Sequence, residues 1–188
     1  MRDTRHELLM EAELLVRTRG YSGFSFAHLA EAVGIRKASI HYYFRTKDDL
    51  AIALVAAYDA RYDEALAAIM AGSKDGLARI VAYGGLYLQG AEKRLGCLCA
   101  VLATEVDSLP ERLRADIAAF FAKHVAWLEG VLKDGQANGT ITGDIDPAPG
   151  ARMIVAALEG ALMMERVLAG GVGFKAALGA LEQTLRPR

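Results

Sequence analysis

Six cations and one anion lie between Arg17 and Lys47: Arg17, Arg19, Arg36, Lys37, Arg45 and Lys47 against Glu31. Four of these cations fall in GIRKASIHYYFRTKDDL, residues 34–50, beside Ser39, His41 and the aromatics Tyr42, Tyr43 and Phe44. Guanidinium and ammonium groups make charge-assisted hydrogen bonds to phosphate, and hydroxyl groups add neutral donors. The rest of the chain gives no such signal. The net charge of all 188 residues is −1, and residues 51–188 carry 14 cations and 16 anions. The positive charge is therefore local, a basic end on a slightly acidic body, which suits an oriented approach to phosphate. Taken singly, Arg36 and Lys37 would be ordinary members of a solvated face.

Other chemistries find less support. No glycine-rich phosphate loop, nucleophile elbow or acid pair at useful spacing occurs, so no catalytic residue is assigned and no enzyme is expected. The nearest approach to an acid pair is Glu105 and Asp107. Four scattered histidines and two cysteines, Cys97 and Cys99, offer no paired metal spacing, so neither a metal nor another cofactor is expected. Two close cysteines make no disulfide framework and fit a reducing cytoplasm. The N-terminus lacks the apolar run of a signal peptide, and no run of about 18 apolar residues calls for a membrane.

Helices must position the basic stretch. Apolar residues recur at helical spacing almost throughout, 53% of the chain is hydrophobic, and no strand pattern or repeat intervenes. Leu8, Leu9, Ala12, Leu15 and Val16 mark a first helix closed by Gly20. Ser25 is placed to cap a second, FAHLAEAV, which Gly34 ends after two turns. RKASIHYYF forms a short third helix, and a long fourth begins at KDDL with Asp48 and Asp49 in its first turn. Later, Ser108 and Glu111 have the spacing of a capping box, Asp146 and Pro147 open another helix, and Gly170 and Gly171 precede the last. The fold class is all-α, with about nine helices.

The second helix, the turn at Gly34 and the third helix make a helix-turn-helix over residues 25–44. Gly20-Tyr21, Ser25, Leu29-Ala30, Val33-Gly34-Ile35, Ile40, Tyr43-Phe44, Thr46-Lys47-Asp48 and Leu50 fall in the order and spacing of one known pattern. On these residues the first 50 positions resemble the DNA-binding domain of the TetR family of transcriptional regulators. His41 departs from the pattern, standing where a tyrosine is usual. The resemblance implies a DNA-binding domain over residues 1–46 and a helical ligand-binding and dimerisation domain over 47–188. It implies a transcriptional regulator, a repressor released from its operator by a small-molecule inducer.

In such a motif Arg36, Lys37, Ala38 and Ser39 open the recognition helix and meet base edges. His41, Tyr42 and Lys47 are assigned to the phosphate backbone, and Ser25 to both a cap and a phosphate. Ile40 and Phe44 face inward toward Leu29 and Leu9. Tyr43 is read as core and His28 as a solvated helix residue. One short helix supplies little specificity, so a homodimer on a pseudo-palindromic double-stranded operator is expected.

Two apolar stripes offer the dimer interface: Ile154, Leu158, Ala161 and Leu162, and Phe174, Leu178, Leu181 and Leu185. Packing of both stripes within one subunit is the alternative. The resemblance also implies an effector pocket, with Tyr83, Tyr87, Cys97, Glu105, Phe120, His124, Trp127 and Met163 as candidates, each of which also fits an ordinary core. GCLCAVLATEV is similar to a segment in a subgroup of these regulators, some of which respond to electrophiles. That places Cys97 at a helix N-terminus, as a sensor thiol or as a small buried hydrophobe. A helical interaction module without DNA function remains a further alternative.

Overall fold

Helix caps written into the sequence set most of the element boundaries. The computed structural model describes residues 3–168 and 172–187, and these contain nine α-helices and no strand. α1 spans Thr4–Arg19, with the Asp3 side chain accepting from the His6 N–H and Gly20 beyond its end. α2, Phe26–Val33, is capped by Ser25. It stops at Gly34, whose left-handed backbone (φ 74°, ψ 35°) is open to glycine without the clash a Cβ brings. α3 covers Lys37–Tyr43 and α4 Lys47–Gly72. Thr46 and Asp49 form a reciprocal capping box before α4: Asp49 N–H donates to Thr46 Oγ1 at 3.1 Å, and Thr46 N–H to Asp49 Oδ2 at 3.0 Å.

α5 spans Gly76–Glu92, α6 Leu98–Ala103 and α7 Glu111–Ala137, with a 3₁₀ turn at Val106–Ser108 between the last two. The expected capping box at Ser108 does not form. Leu109 is extended (φ −90°, ψ 145°), so α7 starts too late for Ser108 to cap it. α8, Pro147–Leu168, begins as expected, with Asp146 Oδ1 accepting from the Ala148 N–H. α9 runs Val172–Leu185. The glycine pair expected to separate α8 from α9, Gly170 and Gly171, lies outside the described residues.

The chain divides into two units that do not follow chain order. The first comprises Met1–Arg61 and Leu98–Phe120, so α6 and the start of α7 belong with the N-terminal helices. Its core contains Leu8, Leu9, Val16, Leu29, Ile40, Phe44, Leu50 and Leu54, all buried. Glu13, also buried, binds Arg17 at 2.9 Å and Arg61 on α4, which ties α1 to α4. The second unit comprises Tyr62–Cys97 and Phe121–Arg188, where α5, α8 and α9 pack on one another. No helix among the described residues is long and apolar enough to cross a membrane.

Candidate functional site

α3 has only seven residues, too few for a stable isolated helix. Its position is set by burial at one edge. Ile40 is fully covered and Phe44 almost so, and both lie in the same unit as buried Leu29 and Leu9. The opposite side is open: Arg36, Lys37, Ala38, Ser39, His41 and Tyr42 are all exposed, Tyr42 at 86%. The sequence-predicted reading residues therefore share one free surface. Tyr43 is 37% exposed and sits with its ring edge-on to Tyr42, so it belongs to that surface and not to the core. His28 is exposed as expected.

His41 is held in a fixed orientation. Its ring packs edge-on against Phe26 of α2, and Nδ1 lies 3.1 Å from the Arg45 carbonyl. A carbonyl only accepts, so Nδ1 carries the proton that it shares with Arg45. In the neutral ring Nε2 is then an acceptor.

Lys47 differs from the expectation of a cation turned to solvent. Its Nζ donates to the Phe24 carbonyl at 2.6 Å and stands 4.5 Å from the ring centroids of both Tyr21 and Phe24. Burial lowers the lysine pKa, opposed by the nearby charges of Glu105 and Asp48. The ammonium is thus a strut in the α1–α2 turn first, with at most two of its three N–H donors left over. Arg17 is likewise engaged, with Glu13, an acid four residues before the basic stretch begins. Arg19, Arg36, Lys37 and Arg45 are the exposed cations that remain of the six.

The effector-pocket candidates separate. Tyr83, Tyr87, His124 and Trp127 meet in the second unit. The Tyr83 hydroxyl lies 3.0 Å from the Tyr87 hydroxyl and 2.8 Å from His124 Nδ1, and the Tyr83 ring stacks on Trp127 at 5.5 Å. Burial pushes the Tyr83 phenol far above its ordinary range. The Tyr87 hydrogen bond opposes that rise, and Tyr62, Glu159 and Cys97 add to it. Tyr87 is raised too, by burial first and then by Tyr83, Glu159, Cys97 and Tyr62. Both phenols thus stay protonated and serve as hydrogen-bonding groups, not as acids.

Three further residues of this cluster were not foreseen as pocket residues. Tyr62 lies edge-on to His124 at 5.0 Å, and Phe174 stacks with Tyr87 at 6.2 Å. Glu159 is the third, an acid on α8 near both phenols. The spacing of Tyr58 and Tyr62, one helical turn apart, was a usable signal for the first. Cys97 directly precedes α6 and is buried. Met163 is half-buried.

Two candidates belong to the first unit. Phe120 belongs to the first unit, where its ring meets Tyr58 at 5.7 Å. Glu105, in the same unit, accepts the backbone N–H groups of Tyr21 at 2.6 Å and Ser22 at 2.9 Å. Burial alone would raise its pKa. The hydrogen bonds from Ser22 and Tyr21 and the charge of Lys47 overcome that and hold it below the usual carboxylate range.

The stripes expected at a dimer interface pack inside the chain. Ile154, Leu158, Ala161, Leu162, Phe174, Leu181 and Leu185 are all buried within a single subunit. Leu178 is half-buried, with its Cδ1 where a Cβ on Gly84 of α5 would lie. The reason is the short α5 side: Gly84 lets α9 close onto it, and the apolar faces of α8 and α9 fill that space. On α8 and α9 the exposed large apolar side chains among the described residues are Met153, Met164, Val167, Leu168 and Val172.

No group of three or more His, Cys, Asp or Glu among the described residues is placed to hold a metal. Residues 8–54 match the family described as bacterial regulatory proteins, tetR family, and residues 76–181 the tetracyclin repressor-like C-terminal domain. The chain is 29% identical to the transcriptional regulator AcuR of Cereibacter sphaeroides over 86% of its own length and 76% of that protein. It is 28% identical to the transcriptional repressor NemR of Escherichia coli, over 88% and 85%. Its fold superposes with a TM-score of 0.91 on a TetR-family regulator from Agrobacterium tumefaciens, at 30% identity over 97% of both chains. The reduced form of Escherichia coli NemR gives a TM-score of 0.84 at 26% identity over 98% of both.

Proposed function

Since this chain belongs to the TetR family and is a DNA-binding transcriptional regulator, we propose that it is a cytoplasmic homodimeric repressor released from its operator by a small-molecule effector. The observation that carries this reading is the split of α3: Ile40 is fully buried while Arg36–Ser39, His41 and Tyr42 are exposed together. The DNA-binding part is residues 1–46 and the effector and dimerisation part residues 47–188. Arg36 and Lys37 supply guanine-reading donors, and Ala38 and Ser39 let the helix N-terminus come close to base edges. Ser25 and Tyr42 donate to phosphate. His41 does so only with a protonated ring, because its Nδ1 proton is committed to Arg45.

The effector is assigned to the Tyr83, Tyr87, His124 and Trp127 cluster, where aromatic faces and a few polar groups converge. The partner subunit is assigned to the exposed side of α8. There Met153, Ala157, Gly160 and Met164 recur at helical spacing, and Gly160 allows close approach. A release of the operator needs an effector that favours the DNA-incompetent arrangement by only a few kcal/mol.

The test is binding of the DNA flanking the protein's own gene, followed at stated salt concentrations. Sequence-dependent binding that is lost in the Arg36→Ala, Lys37→Ala double variant is expected. Absence of any sequence preference in the unaltered protein, or a double variant that binds as tightly, removes the reading. Capture of a protein partner in place of DNA would favour an interaction module instead.

A further inference from the structure

The turn between α1 and α2 is held by a residue from outside the DNA-binding motif. The two N–H groups that Glu105 accepts are 84 and 83 positions away in sequence. Its carboxylate fills the space over Gly20, where a Cβ would come within 2.2 Å of Glu105 Oε1. Two successive backbone N–H groups form a small anion cradle, and both are charge-assisted donors here.

The same turn governs the placing of the recognition helix. The Tyr21 and Phe24 rings enclose Lys47, the first residue of α4. The Tyr21 hydroxyl binds Asp48, the next. Ser25, which caps α2, follows Phe24 directly. The start of α2 and the start of α4 are therefore both fixed by this turn, and α3 is strung between those two helices. Glu105 lies on the connection between α6 and α7, and α7 carries His124 and Trp127 further along the same helix.

We propose that Glu105 is a positioning residue for operator binding: its carboxylate holds the α1–α2 turn in the arrangement that sets α3. This rests on the reading of the chain as an effector-released regulator. Glu105 itself touches no DNA in this scheme. Its removal therefore weakens binding without removing a phosphate contact.

The test compares the unaltered protein, Glu105→Gln and Glu105→Asp. Operator affinity is measured by fluorescence anisotropy across a salt series, and hydrogen exchange is followed at the Tyr21 and Ser22 amides. Glu105→Gln keeps the shape and loses the charge. It is expected to weaken operator binding by about tenfold, as for loss of charge-assisted hydrogen bonds. The salt slope should stay unchanged, and both amides should exchange faster. Glu105→Asp, which keeps the charge, should recover part of both effects.

Equal operator affinity in Glu105→Gln overturns the proposal. So does a loss accompanied by a shallower salt slope, which would make Glu105 part of the phosphate surface network. If the unaltered protein shows no sequence preference, the regulator reading fails. The exchange arm still decides the turn contact, since unchanged exchange at Tyr21 and Ser22 in Glu105→Gln means that Glu105 holds nothing.

Discussion

Removal of one hydroxyl, in Tyr83→Phe, tests how the buried aromatic cluster is wired. The Tyr83 hydroxyl stands between Tyr87, at 3.0 Å, and His124 Nδ1, at 2.8 Å. With one proton and two lone pairs it can serve both neighbours at once. The residue has no solvent exposure, so water cannot take over either bond. Loss of a partner from a buried polar group costs about 1–3 kcal/mol each. Tyr83→Phe takes a bond from two groups and gains back the desolvation of its own hydroxyl, a net loss of about 2–4 kcal/mol. Tyr87→Phe removes only the end of the chain and leaves the Tyr83–His124 bond in place, a loss of about 1 kcal/mol. At about 2–4 °C per kcal/mol for a chain of this length, the melting points should fall by about 4–16 °C and about 2–4 °C. Thermal melts at one fixed protein concentration measure both, since the proposed dimerisation would make the midpoint concentration-dependent. A Tyr87→Phe loss equal to or larger than that of Tyr83→Phe would show that the central hydroxyl is not the hub.

Other outcomes follow from the same geometry. Lys37→Ala should weaken operator binding and relax the preference at the base pair it reads; a uniform loss across operator variants with a salt slope reduced by about one would move Lys37 to the phosphate backbone. Met164→Lys on the exposed side of α8 should raise the dimer dissociation constant, read by sedimentation, whereas Leu158→Ala should lower the melting point by the equivalent of about 2–5 kcal/mol as a buried core truncation. The folded-state pKa of Glu105 is depressed, so its contribution is fully present above about pH 4.3, the ordinary glutamate value, and is lost as the pH falls through the lower folded value. Glu105→Gln should remove that part of the acid limb from the pH–stability curve and leave the neutral region parallel.

The DNA-binding part was legible because its determinants are local. Gly20, Ser25 and Gly34 announce the ends of α1 and α2 through backbone rules that need no tertiary partner. The α4 capping box at Thr46 and Asp49 obeys the same rules. The Ser108 box had the right letters, yet Leu109 is extended before α7, and local spacing carries no information about that. Burial direction was harder still. A stripe such as Ile154, Leu158 and Leu162 has the same period whether it meets α5 and α9 or another subunit. What decides is Gly84 and Leu178 on helices far apart in sequence. The proposed partner surface rests instead on the exposed Met153 and Met164, whose exposure the period of α8 does not reveal.

Lys47 shows why motif letters alone do not separate contact from scaffold. Its place in the pattern pointed to phosphate, and its charge was counted toward a basic surface. In the fold that charge is spent on the Phe24 carbonyl and two aromatic rings, within the field of Glu105 and Asp48. A cation enclosed between two rings is worth about 0.5–2 kcal/mol, and a hydrogen bond from a charged donor about 1.5–3 kcal/mol. Those are the magnitudes that fix a turn, and they arise only where the ammonium is partly desolvated. A substitution to methionine separates the two roles. Lys47→Met keeps a side chain of similar length between the rings and removes the charge. If Lys47 acts chiefly as a strut, the variant should melt lower, its Tyr21 and Ser22 amides should exchange faster, and the salt slope of operator binding should hold. A salt slope shallower by about one, with the melting point unmoved, would return Lys47 to the phosphate backbone and leave the turn to Glu105 alone.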